Sequence, residues 1–134
     1  MRFRSQRIAA LLMVAGLFAG CSRSESSVEG TVTYDGEPVT IGSIAFLPSD
    51  SKGIKRGARI ENGHFVTEPK FPLSPGPHRV EIHWLKPTGK KYKNEFGEEF
   101  DRTSEGLPDK YHKDSTLLRE IEPGKNVVDF NLEK

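Results

Sequence analysis

Residues 28–48 read VEGTVTYDGEPVTIGSIAFLP. Val28, Val32 and Tyr34 share one parity, and Glu29, Thr31 and Thr33 share the other. That alternation is the signature of a strand buried on one face. Gly30 falls on the apolar parity, where a missing side chain allows a close backbone approach or a bulge. Asp35-Gly36 is a turn signal, and Ser43-Ile44-Ala45-Phe46-Leu47 makes a second strand closed by Pro48.

The same grammar continues outward. Ala58 and Ile60 alternate with Gly57, Arg59 and Glu61, and Asn62-Gly63 is the strongest hairpin signal in the chain. His64-Phe65-Val66-Thr67 returns, and Pro75-Gly76 turns again. Val80, Ile82 and Trp84 alternate with Arg79, Glu81 and His83. Leu117 and Ile121 share a parity, Pro123-Gly124-Lys125-Asn126 turns the chain, and Val128, Phe130 and Leu132 alternate to the end. Nine prolines divide the 134 residues into pieces mostly too short for a packed helix. About seven short strands joined by turns predict an all-β fold, an antiparallel β-sandwich over residues 28–134.

Residues 86–107, KPTGKKYKNEFGEEFDRTSEGL, carry no strand signal. A connection of that length in a small domain is usually functional or disordered. Tyr92, Phe96 and Phe100 recur every fourth residue, a spacing that suits one face of a helix or of a strand, and Gly97 weakens the helix. The expectation is a mobile hairpin or one-turn helix closing an open end of the sandwich. Trp84, Tyr92, Phe96 and Phe100 are the candidate binding residues, because aromatics beside a polar loop anchor proteins and sugars. The plain alternative puts Trp84 in the core with the others capping it. Lys86, Lys90, Lys91 and Lys93 could meet anionic headgroups or acidic polymers, or simply neutralise Glu95, Glu98, Glu99 and Asp101 beside them.

At the other end, residues 1–20 read MRFRSQRIAALLMVAGLFAG. Three arginines precede an uncharged run from Ile8 to Gly20, shorter than the roughly 20 residues a spanning helix needs. This predicts a secretory signal peptide on the general export route. Leu17-Phe18-Ala19-Gly20-Cys21 resembles a bacterial lipobox, with Phe18 where Leu is usual. Cys21 is then the lipidated residue, and two or three acyl chains give stable anchoring. Ordinary cleavage would instead leave Cys21 a free thiol. Residues 21–27 are read as the lipidated cysteine and a flexible tether. Loss of residues 1–20 removes Arg2, Arg4 and Arg7 and turns the formal charge of +1 into −2. Ser22 after the cysteine points to the periplasmic face of the outer membrane.

The composition excludes several functions. One cysteine cannot build an internal disulfide framework or a multi-thiolate zinc site. Near-balanced charge lacks the footprint of a nucleic-acid binder. The chain has no HExxH pair and no G-x-S-x-G nucleophile context. The acidic cluster lacks the spacing of a calcium loop. His78 and His83 face opposite sides of one strand, and all four histidines, His64, His78, His83 and His112, are read as exposed strand or turn residues. No catalytic residue, cofactor or metal site is predicted.

The order of these motifs resembles carboxypeptidase regulatory-like, transthyretin-like domains of small bacterial lipoproteins. Val28 to Val39 is similar to the family's opening "G-x-V-x-x-D-G-x-P" strand and turn, and Gly42 to Pro48 to its "G-x-V-x-F-x-P" strand. Asn62-Gly63-His64-Phe65 is similar to its "D-G-x-F" hairpin, and Pro75 to Val80 to its "P-G-x-Y-x-V" strand, with His78 for Tyr. Pro108 to Tyr111, Ser115 to Leu117, Glu122 to Gly124 and Asp129 to Leu132 look like the C-terminal half of such lipoproteins. The resemblance implies a seven-stranded prealbumin-like sandwich and no catalysis. The hydroxyisourate-hydrolysing branch of the fold ends in Tyr-Arg-Gly-Ser, whereas this chain ends Asn-Leu-Glu-Lys. The expected function is a non-enzymatic interaction or structural module of the cell envelope, held to the membrane by its N-terminal lipid. The alternative is a carbohydrate- or peptide-binding module using residues 86–107, with an envelope protein or polysaccharide as partner.

Overall fold

The structure is a computed structural model that describes residues 25–50 and 52–134. The expected signal peptide (1–20), the Cys21 lipidation site and the start of the tether lie outside the described residues.

The described chain is all-β apart from one 3-10 turn. In order come β1 (Ser26–Tyr34), β2 (Glu37–Pro38), β3 (Ile41–Pro48), β4 (Arg56–Glu61), β5 (His64–Val66), β6 (Gly76–Lys93) and β7 (Glu99–Glu105). The 3-10 turn Asp109–Tyr111 follows, then β8 (Leu118–Ile121), β9 (Gly124–Val127) and β10 (Phe130–Leu132). Ten strands thus stand where about seven were expected, some of only two to four residues. The main path runs β10-β1-β5-β4-β3-β6-β7, with β2 and β9 beside β1 and β8 beside β6. Most pairs are antiparallel, as expected, but β1 pairs in parallel with both β9 and β10. The long first strand is shared, its opening half with β9 and its closing half with β10.

The sequence grammar explains the local structure. Asp35-Gly36 and Asn62-Gly63 both take positive φ through the turn, the backbone of a two-residue hairpin that matches strand twist. Inward residues Val28, Val32, Ile44, Phe46, Val80, Ile82 and Trp84 are buried as the parity requires. Gly30 lies so close to the Val128 carbonyl that a Cβ there would overlap it.

The sheet curls around a single core. Tyr34 on β1 and Trp84 on β6 stand four strand steps apart along the path, about 19 Å in a flat sheet. Their rings lie 6.2 Å apart, edge to face. Phe46, Phe65 and Phe130 form a chain of neighbouring rings 6.1 and 6.3 Å apart through the middle. The side facing away from this core carries a concavity of about 1070 Å³ over β3, β4 and β5, with Ser43, Ala45 and Gly57 among its lining residues. Its charges are already paired, Lys55 with Glu81 at 3.7 Å, Arg59 with Glu61 at 3.4 Å and Glu68 with Lys70 at 3.6 Å, and Arg79 outside it also meets Glu81 at 2.8 Å.

Two expectations are corrected. Residues 86–107 do form a hairpin, one of the two expected forms, but it is built of regular strands where no strand signal was read, and it does not close an end of the fold. It is the outer part of β6 and all of β7, an extended hairpin whose second strand has, among the described residues, β6 as its only substantial neighbour. The histidines are not all exposed either. His78 is 1% and His112 8% exposed, because each ring satisfies a backbone carbonyl inside the fold: His78 Nδ1 lies 2.9 Å from Gly76 O and His112 Nε2 lies 3.2 Å from Leu107 O.

Candidate functional site: the arm and its root

β6 is 18 residues long and changes character at Trp84. Up to Trp84 it alternates buried and half-buried residues against β3. From Leu85 to Lys93 every residue is exposed, and so is every residue of β7. The two segments pair only with each other, from Leu85↔Glu105 to Lys93↔Glu99, and make an arm roughly 25 Å long. Beyond Trp84, the edge of β6 that faced β3 has no strand partner among the described residues, and neither has the outer edge of β7.

Side-chain chemistry holds the arm together. At the tip, Asn94 Oδ1 accepts from the N–H groups of Phe96 and Glu98, both at 2.9 Å, and Asn94 Nδ2 donates to Glu98 Oε2 at 2.7 Å. Gly97 supplies the positive φ (81°) that the turn needs. This fixes the backbone under Phe96, a residue 82% exposed. Midway, the register shifts between Pro87 and Lys91, where Thr88 Oγ1 donates to Arg102 O at 2.9 Å. Tyr92 and Phe100 are direct cross-strand partners with stacked rings 5.7 Å apart. Lys91 meets Glu99 at 3.8 Å, an exposed pair worth little.

The four aromatic candidates therefore separate. Tyr92 and Phe100 form one half-exposed stack, and Phe96 stands alone at the tip. Trp84 belongs to the core, 3% exposed. Its indole N–H donates to Thr40 Oγ1 at 3.2 Å, Gly106 packs on its ring, and the Lys86 ammonium sits 4.5 Å from the ring centroid. Phe96 fits neither one helix face nor one strand face, because the four-residue spacing passes through a turn.

At the root of the arm lies a group that no sequence motif announces. His83 Nδ1 is 2.7 Å from Glu105 Oε2, and the rings of His83 and His112 lie 4.9 Å apart. One donor atom from each of His83, Glu105 and His112 falls within 4.8 Å of the others. The other oxygen of Glu105, Oε1, accepts the N–H groups of Trp84 and Leu107, both at 3.0 Å. Partial burial pushes the Glu105 carboxyl up, but the Trp84 N–H, His83 and the Leu107 N–H outweigh it and hold the group below the usual carboxylate range. Asp109 is also lowered, chiefly by the hydrogen bond from Lys113 at 2.8 Å. His83 and His112 lie far apart in sequence and Glu105 sits inside a polar run, so only the hairpin register and the turn after it bring them together. Two imidazoles and an ionised carboxylate can bind a divalent cation of intermediate softness. The chain matches no family model and no curated protein.

Proposed function

We propose that this chain is a lipid-anchored, non-enzymatic docking module of the bacterial cell envelope, and that the β6–β7 arm engages a protein partner there. The anchoring part rests on the lipobox-like run ending at Cys21. The fold reading is a prealbumin-like sandwich whose seven main strands carry short accessory ones, supported by the curl that brings Tyr34 against Trp84. The observation that carries the docking part is the arm itself: a hairpin with every strand residue exposed, apolar rings at and just below its tip, and, among the described residues, no substantial neighbour but itself. An isolated two-stranded hairpin is marginal in water. Bound to a partner, such an arm would bury Phe96 and the Tyr92–Phe100 stack.

A protein suits the surface better than a glycan. Both edges of the arm offer unpaired main-chain groups for an added strand. Its two strands also differ in net sign, with Lys86, Lys90, Lys91 and Lys93 on the arm part of β6, and Glu99, Asp101 and Glu105 against Arg102 on β7. The carbohydrate reading rests on the Tyr92–Phe100 stack as a platform.

The test is a photo-crosslinker at Phe96 in the full chain, expressed in intact cells, with captured species identified by mass spectrometry. The expected result is a discrete protein adduct that Cys21→Ser and Tyr92→Ala each weaken. A glycan adduct would replace the protein reading with the carbohydrate one. No specific adduct would overturn both.

A further inference from the structure

We infer that His83, Glu105 and His112 form a binding site for a divalent transition-metal ion of the zinc class, at the root of the arm. The donors come from three places: His83 from the last core-facing stretch of β6, Glu105 from the end of β7, and His112 from the turn after Asp109–Tyr111. Their ligand atoms already lie within 4.8 Å of one another. Tetrahedral zinc with bonds of about 2.0–2.1 Å holds its donors about 3.3 Å apart. The remaining closure is a matter of small side-chain rotations, since His83 and Glu105 are both partly exposed.

Orientation is what separates this group from a chance ion pair. Glu105 Oε1 is fixed by two backbone N–H groups, so Oε2 stays turned toward His83. His112 Nε2 contacts the Leu107 carbonyl at 3.2 Å and Asp109 Oδ1 at 3.5 Å. Backbone carbonyls and carboxylates are the partners that orient metal-ligating histidines. An N₂O donor set favours zinc, copper(II) or nickel(II) over magnesium or calcium, which prefer all-oxygen shells. Three protein donors leave a coordination position for water or for a donor from another molecule. The ion would take the place of the hydrogen bond between His83 Nδ1 and Glu105 Oε2. It would tie β6, β7 and the following turn together where the arm leaves the core. The site stands independently of what the arm docks.

The test is calorimetric titration of the untagged full chain with zinc chloride, in a Cys21→Ser background so that no thiol competes. Saturable binding of one ion per chain is expected, with a rise in the melting temperature. His83→Gln and Glu105→Gln should each weaken binding at least about tenfold, and His64→Gln should not. His83 and Glu105 lie toward solvent, so their variants keep the fold even where replacing the buried His112 would not. Cobalt(II) in place of zinc should give the visible absorption of a low-coordinate site, abolished in the double variant. No saturable binding would overturn the proposal. So would binding that survives His83→Gln with Glu105→Gln.

Discussion

At the scale of single residues, Glu105 ties the arm to the core. Its ionised form is favoured in the folded chain, so its contribution to stability is present above the unfolded value near 4.5 and is lost as pH falls through the lower folded value. Glutamine keeps the shape but cannot titrate. The melting temperature of wild type should therefore exceed that of Glu105→Gln at about pH 7, and the gap should shrink by about pH 3. A gap independent of pH would mean that the charge is not what the contacts stabilise. Gly30 makes the second test. An alanine Cβ there would run into the Val128 backbone carbonyl, in the link between β9 and β10, both of which pair with β1 and hold that link in place. Gly30→Ala should cost about 3 kcal/mol by urea unfolding. At Gly36 a Cβ meets open space, and only the positive φ of 84° resists it. Gly36→Ala should cost about 1 kcal/mol. The Gly30 position was readable from parity alone, since a glycine on the buried parity of a strand has to admit something.

At the scale of elements, the core strands were legible because one face of each is dry. Val80, Ile82 and Trp84 alternate with polar neighbours because one side packs on Phe46 and Ile44 and the other meets water. The strands of the arm were illegible for the same reason inverted, although a hairpin was one of the two forms expected there. Where both faces of a hairpin are solvated, no apolar alternation is imposed, and Lys86 to Glu105 reads as loop. What orders it is local: the Asn94 turn, the Thr88 bulge and the Tyr92–Phe100 stack. Global unfolding would barely register these contacts, so the readout is hydrogen exchange of amides within the arm. Asn94→Ala should raise exchange across Lys91–Asp101 and leave the amides of β3 and β4 unchanged. A double-mutant cycle on Tyr92→Ala and Phe100→Ala, read the same way, should show coupling of about 0.5–1 kcal/mol. Zero coupling would mean that the rings merely lie side by side.

At the scale of the whole molecule, the chain divides into a curled sheet that buries all the large inward side chains and an arm that buries none. Every residue of the core cluster lies outside 85–105, and the nearest members, Trp84 and Leu107, bracket the arm. The candidate site was therefore half legible. The aromatic loop could be named from composition, but the separation of Trp84 from Phe96, and the meeting of His83 with His112, depend on where β6 leaves the sheet. That point is set by how far β3 extends, since β3 pairing ends at Gly42↔Trp84. If the division is real, the arm is thermodynamically dispensable. Replacing Thr88–Arg102 by Asn-Gly would join Pro87 and Thr103, already cross-strand partners, through a two-residue hairpin turn. The shortened chain should keep its cooperative unfolding, with a melting temperature within about 4 °C of wild type, because no core side chain is removed. It should also keep the Glu105 contacts at the root, since Trp84, Glu105 and Leu107 all lie outside the replaced stretch. A loss of cooperative folding would place the arm in the folding unit and remove the basis for reading it as an element built for contact with another molecule.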